Sequence, residues 1–365
     1  MRMLDNYPSS QECIETLAPL DSASAEVGIA GALTSIASIT ASIVANAQHW
    51  SRRARQWNRL VSPAPVHRTL YEAAVREGAE MLFKAWQRSH AQQGWMVVEV
   101  EPSEMYSPAA LFRRARELSN LMPNVMTSIP LSVAGCEVIE ELVATGHAVN
   151  ASLCFSVAQL QAALEAIRRG RQRALGNGVC LAWTSHLLSA APGDVLRHPE
   201  CAIQAEQAGV NLSDTDRAWA SVAVCQALRQ AMRSHEASAR LVVSGFDECC
   251  HTERSGCRLI IDEHDSTTLH SVGAEQLERL IVGGCGRPSG ALSACAQVPE
   301  EVLQRLRRVR VFRQLCGAEP LASACFARHP VFLHSLGQSL RAQTQLMRFA
   351  RQLQPPLYAD IPAAR

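Results

Sequence analysis

Between residues 94 and 190 short apolar runs alternate with longer stretches of helical spacing. "GWMVVEVEP" is a β-branched run ending in acids and a proline, which predicts a strand. "SPAALFRRARELSNLM" opens on Ser-Pro and continues with helical spacing. "NVMTSIP" is strand-like again. "SVAGCEVIEELVATGH" places Val138, Ile139, Leu142 and Val143 on one helical face. "AVNASLCFS" predicts a strand, and "VAQLQAALEAIRRGRQRAL" a helix with Ser156 as its N-cap. "GVCLAWTS" reads as the next strand. Short connections between such elements imply parallel strands and crossover helices.

The flanking patterns fit the same scheme. "LDNY" and "GIAGALTSIAS" supply early strands, and a helix runs on through Ile43 and Trp50. "TLYEAAVREGAEMLFKAWQRSH" is a long amphipathic helix. "SARLVVSGF" and "CRLIIDE" predict two late strands, and "EEVLQRLRRVRVFRQL" and "PVFLHSLGQSLRAQTQLMRFARQL" predict helices. Loops are expected near residues 61–67 and 282–290, where proline and glycine gather. Eight strands with helices between them predict an α/β fold, a (β/α)8 barrel closed by C-terminal helices. A doubly wound sheet is the alternative. The barrel would occupy residues 1–350 as one domain, with 351–365 as a tail.

Composition narrows the function. The 365 residues carry a formal net charge of +1, and 47% are apolar. Such a balance argues against nucleic acid as the main partner, because phosphate binding needs a concentrated basic face. The arginine runs "SRRARQW" and "RLRRVRVFR" read as solvated helix faces. No apolar stretch is long enough for a membrane helix, and "MRMLDNYPSS" lacks a signal core, so the expected location is the cytoplasm. Thirteen scattered cysteines fit free thiols better than a disulfide framework. "CCHTERSGC" matches no standard zinc spacing, and "DEHD" reads as a solvated loop, so neither a metal nor a cofactor is expected. The basic residues are almost all arginine, with Lys84 the single lysine.

Three motifs in order carry a resemblance: "EVEP", "NVMTSIPLSVAG" and "GHAVNASLCFS". Together they resemble the transaldolase family, with "LDN" and "GALTSIASI" as weaker parallels. Beyond residue 190 the match is loose. The resemblance implies a (β/α)8 barrel and a dihydroxyacetone transfer through a Schiff base on a fourth-strand lysine. The residue matching that lysine is Ser128, and a hydroxyl forms no iminium. Lys84 falls in an outer helix and could support residual aldolase activity only by reaching the mouth.

Other family positions have also changed. Ile36 replaces an amide of the second strand. Leu181, Trp183 and His186 stand for the sixth-strand serine, aromatic residue and phosphate-binding arginine. Ser244 keeps a seventh-strand serine, while Asp247 and Glu248 stand where a cation would hold phosphate. Loss of a bidentate donor beside added carboxylates makes a sugar phosphate a poor fit. Asp5 and Glu99 match family acids, and Asn150 and Ser152 match the fifth-strand amide and hydroxyl.

Two carboxyls in a mouth lined by Ile36, Leu181, Trp183 and Phe246 predict proton transfer: isomerisation, elimination or cyclisation of a non-sugar, largely apolar small molecule, as in specialised metabolism. Asn150, Ser152, Ser128 and Ser244 would orient a polar group. The plain alternatives are that Glu99 and Asp5 only tie strands together, that His186 is an ordinary hydrogen-bonded histidine, that Trp183 is core, and that the whole barrel is a non-catalytic binder of a metabolite or protein. A homodimer is compatible with either reading.

Overall fold

The computed structural model describes residues 2–4, 31–57, 65–105, 107–191, 195, 198–233, 239–243, 258–261 and 297–353. Eight short strands form one sheet: β1 (Arg2–Leu4), β2 (Gly31–Leu33), β3 (Trp95–Glu99), β4 (Val125–Pro130), β5 (Val149–Cys154), β6 (His186–Ala190), β7 (Ala239–Val243) and β8 (Arg258–Ile261). They follow one another in sequence order and close on themselves between β1 and β8. From β2 to β8 every neighbouring pair is parallel. β1 runs antiparallel to both its neighbours. The architecture is α/β, with seven parallel strands and a reversed first one, and so departs from the all-parallel ring that the pattern predicts.

Four of the helices that follow strands begin where a serine can satisfy the orphan amides of a first turn. Ser35 caps α1 (Ile36–Ala45) after β2, accepting from the Ser38 N–H, and its own N–H donates in return to Ser38 Oγ. Ser107 caps α4 (Pro108–Ser119). Ser132 caps α5 (Val133–Ala144) after β4, and Ser156 caps α6 (Val157–Gly176) after β5, as expected. The helix expected through Ile43 and Trp50 is broken at Asn46, where α1 ends and α2 (Ala47–Trp57) begins; the Asn46 amide donates to the Ser42 carbonyl. α3 (Val66–Arg88) is the long amphipathic helix. Two helices not predicted, α7 (Pro199–Gln207) and α8 (Asp214–Arg233), follow β6. The late arginine-rich stretch divides at Val309 into α9 (Glu300–Arg308) and α10 (Arg310–Leu315). The last helix, α11 (Pro330–Leu353), has the bounds its pattern predicts.

Apolar side chains fall into two layers. Strand residues such as Val98, Ile129, Ala151 and Leu188 face the helices and join the main core. Their sequence neighbours Leu33, Val97, Met126, Leu187 and Val242 form a second cluster, one residue from each of five strands. Strand alternation thus sends one set outward and the other into the enclosed centre.

Candidate functional site

Above that inner apolar cluster lies a polar layer. Glu99 is paired in register with Ser128, and Ser128 with Asn150. Each lies two residues beyond an inner apolar position, Val97, Met126 and Ala148 respectively, so all three share the interior face. Asn150 Nδ2 donates to Ser128 Oγ at 2.9 Å, and Ser189 Oγ donates to Asn150 Oδ1 at 2.7 Å. Ser128 is 3% exposed. Because its oxygen accepts from Asn150, its own proton remains available to donate. Ser152 lies two residues beyond Asn150, half-buried, at the register of Pro130.

Glu99 occupies the C-terminal end of β3. Its Oε2 accepts from the Ile36 N–H at 3.1 Å and from Ser339 Oγ of α11 at 3.2 Å. Ile36 is the first residue of α1, so that amide is one of the donors a helix leaves unpaired. The helix start therefore offers both an N–H and the positive end of a dipole to the carboxylate. From below, the Tyr71 hydroxyl donates to the Glu99 carbonyl at 2.7 Å. Burial, with Glu101 and Glu99 adding, holds that phenol protonated well above its ordinary range.

The loop after β3 is fixed by a buried ion pair. Glu101 receives Arg114 Nε at 2.8 Å and Nη2 at 2.7 Å, a bidentate arrangement. Arg114 also reaches Glu72 at 2.5 Å and Glu117 at 3.1 Å. Burial opposes the Arg114 charge, but the Glu101 and Glu72 carboxylates more than offset it and keep the guanidinium protonated. Near the end of β5, Leu153 has φ +55° within a register shift, and Gln159 ties the turn that follows by accepting from the Phe155 N–H and donating to the Leu153 carbonyl. A branched residue in that conformation is strained and persists only because its surroundings hold it.

Several expected pocket residues lie elsewhere. The strand placed at "GVCLAWTS" begins instead at His186, because Thr184 closes a turn onto the Leu181 carbonyl through both its N–H and its hydroxyl. Leu181 and Trp183 therefore belong to the connection from α6 into β6, at the end of the sheet opposite Glu99. Trp183, 46% exposed, packs on Trp86 and His90 with ring centroids 5.1 and 5.7 Å apart. His186 starts β6 on the outward face and is fully buried. Burial, helped by Arg171, holds it down to about 3, so it is a neutral core residue rather than an anion anchor. The Ile36 side chain is also fully buried in the core, and only its backbone reaches Glu99. Asp5, Ser244 and Phe246 lie outside the described residues, as do Asp247, Glu248, "CCHTERSGC" and "DEHD".

Ser189, Ser339, Tyr71 and the Arg114 pair were missed in the sequence. Ser189 could have been found by starting β6 at His186. Ser339 carries no local signal, because it lies 240 positions from its partner. Among the described residues no cluster of three or more metal-ligating side chains occurs, and no helix is long and apolar enough to cross a membrane.

A family model described as Transaldolase/Fructose-6-phosphate aldolase matches residues 17–249. The chain belongs to this family. A transaldolase of Thiobacillus denitrificans is 30% identical over 215 residues, 57% of this chain and 58% of that protein. Transaldolase 1 of Streptomyces coelicolor is 34% identical over 117 residues, 32% of this chain and 31% of that one. Transaldolase 2 of the same organism is 25% identical over 189 residues, 51% of this chain and 46% of that protein. The chain spans less than two thirds of the length of these relatives. The three motifs that carry the resemblance fall within the family match, as do Glu99, Ser128, Asn150, Ser152 and Ser189.

Proposed function

We propose that this transaldolase-family chain is a divergent enzyme that moves protons on a small carbonyl compound without forming a Schiff base. The observation that carries the reading is the occupant of the interior layer. Ser128, which matches the family's lysine, lies between Glu99 and Asn150 in strand register. Lys84 offers no substitute. It is exposed, within a turn of Trp86, at the end of the barrel away from Glu99. On this reading the fold is a transaldolase-type barrel with seven parallel strands.

Glu99 is the base. A carboxylate accepting a helix-start amide is held in the acceptor form that proton removal requires. It takes a proton from the carbon next to the substrate carbonyl, and the electron pair moves to the carbonyl oxygen. Ser128 donates its hydroxyl proton in a hydrogen bond to that oxygen, with Asn150 and Ser189 fixing its direction. Return of the proton to a neighbouring carbon is isomerisation; expulsion of a neighbouring group is elimination; attack by the carbanion within the molecule is cyclisation. The substrate is a non-sugar molecule of the kind met in specialised metabolism. Its expected apolarity loses its support, since Leu181, Trp183 and the Ile36 side chain do not line the Glu99 end.

The test is solvent deuterium uptake at carbon, followed by NMR, over a panel of ketones that includes dihydroxyacetone. Glu99→Gln is expected to slow uptake by about 100-fold or more. Uptake equal in the two proteins sinks the assignment.

A second reading is a non-catalytic barrel that binds a metabolite or a protein. It is favoured by the engagement of Glu99 Oε2 with Ile36 and Ser339, which gives the carboxylate a purely structural task. It predicts no deuterium uptake with any ketone, and metabolite binding that survives Glu99→Gln.

A further inference from the structure

α11 packs against α1, α3 and the 3-10 turn after β3 with a face that is mostly apolar: Val331, Phe332, Ala342, Leu346 and Ala350 are buried. Apolar contact alone is non-directional and leaves a helix free to slide or roll by a fraction of a turn. Two polar side chains on that face remove this freedom. Ser339 Oγ donates to Glu99 Oε2 at 3.2 Å, and Gln343 Nε2 donates to Ser103 Oγ at 3.1 Å. Ser339 and Gln343 are one turn apart on the helix and therefore share a face. Their partners are likewise four residues apart, one at the end of β3 and one in the 3-10 turn that follows it. At its other end α11 is held by His329, whose ring lies 4.6 Å from that of Phe155, the residue after β5. The two anchors bracket β4, the strand that carries Ser128.

We propose that Ser339 is a positioning residue for Glu99, so that the seating of α11 completes the polar layer at the end of the barrel. This rests on the reading of Glu99 as the proton-transfer group.

The test follows the Glu99 carboxyl directly, without a substrate. In full-length protein carrying 13C-labelled glutamate, the Glu99 side-chain carbonyl signal is assigned by its loss in Glu99→Gln and titrated by NMR. Ser339→Ala removes a donor to the charged form and is expected to raise the titration midpoint by about half a unit to one unit, the net worth of one hydrogen bond. Ser339→Thr restores the wild-type midpoint. Ser339→Cys, nearly isosteric and a weaker donor, gives an intermediate shift and serves if the alanine variant does not fold. Thermal unfolding of each variant separates a shifted carboxyl from a loosened fold. A midpoint unmoved in Ser339→Ala and Ser339→Cys overturns the proposal. If the midpoint moves while Glu99→Gln keeps wild-type deuterium uptake, the positioning contact stands and the catalytic reading of Glu99 fails.

Discussion

Asn150 joins the hydroxyls of two strands, and the direction of its two bonds decides what Ser128 can offer. With its amide nitrogen committed to Ser128 and its oxygen to Ser189, the chain of donors runs from β6 to β4 and ends at the Ser128 proton. Glu99, Ser128 and Asn150 were named in the sequence through the motifs that resemble the family, and the apolar pattern made the strands that carry them legible. His186 was misread for the converse reason: apolar residues continue through the turn at Leu181 to Thr184, so nothing in the pattern marks where the strand begins. Its burial has a measurable consequence. Neither ring nitrogen has a partner among the described residues, and the folded-state pKa is held to about 3, against 6.5 when exposed. Above pH 6.5 both states are neutral and the group adds no pH dependence. Below it the unfolded chain takes up a proton that the folded chain refuses, so stability falls as pH drops from 6.5 towards 3. Between pH 7.5 and pH 5 wild type is expected to lose about 2 kcal/mol more than His186→Leu in urea unfolding. An equal loss in both proteins contradicts the burial of this ring.

Elements were legible where periodicity and a cap agree. Ser156 before α6, and the uninterrupted pattern of α11, needed no tertiary information. Breaks were less legible. Asn46 and Val309 interrupt helices whose apolar spacing carries on across the break. The reversed β1 could not have been foreseen, because three residues of pattern state no direction. One element boundary depends on a glycine. Gly94 leads into β3 with φ +74°, and a Cβ there would lie 2.3 Å from the Trp86 backbone nitrogen and 2.6 Å from the Leu82 carbonyl. The end of α3 and the start of the strand that carries Glu99 are thereby packed backbone to backbone. Gly94→Ala is expected to cost on the order of 3 kcal/mol or more, since neither contact belongs to a side chain that can yield. Thermal unfolding checks this, and a melting temperature unchanged from wild type contradicts the close approach.

At the scale of the whole molecule, charge and chemistry are kept apart. Arginines are spent on ion pairs at the surface, as where Arg169 and Arg173 of α6 meet Glu140 and Glu141 of α5, and Arg305 covers the buried Asp216. The buried Arg114 pair braces the loop after β3. The polar layer inside the barrel is left with hydroxyls, an amide and a carboxylate. Its family membership and α/β architecture follow from the middle third of the chain, where pattern and motif coincide. Contributions from the last helix follow only from folding, since no local rule links residue 339 to residue 99. The claim that most needs testing is that this transaldolase-family barrel no longer captures ketoses covalently. Protein incubated with fructose 6-phosphate and sodium borohydride, then weighed by intact mass spectrometry and mapped by peptide, is expected to show no added mass. A reduced ketose adduct on Lys84 would contradict the account.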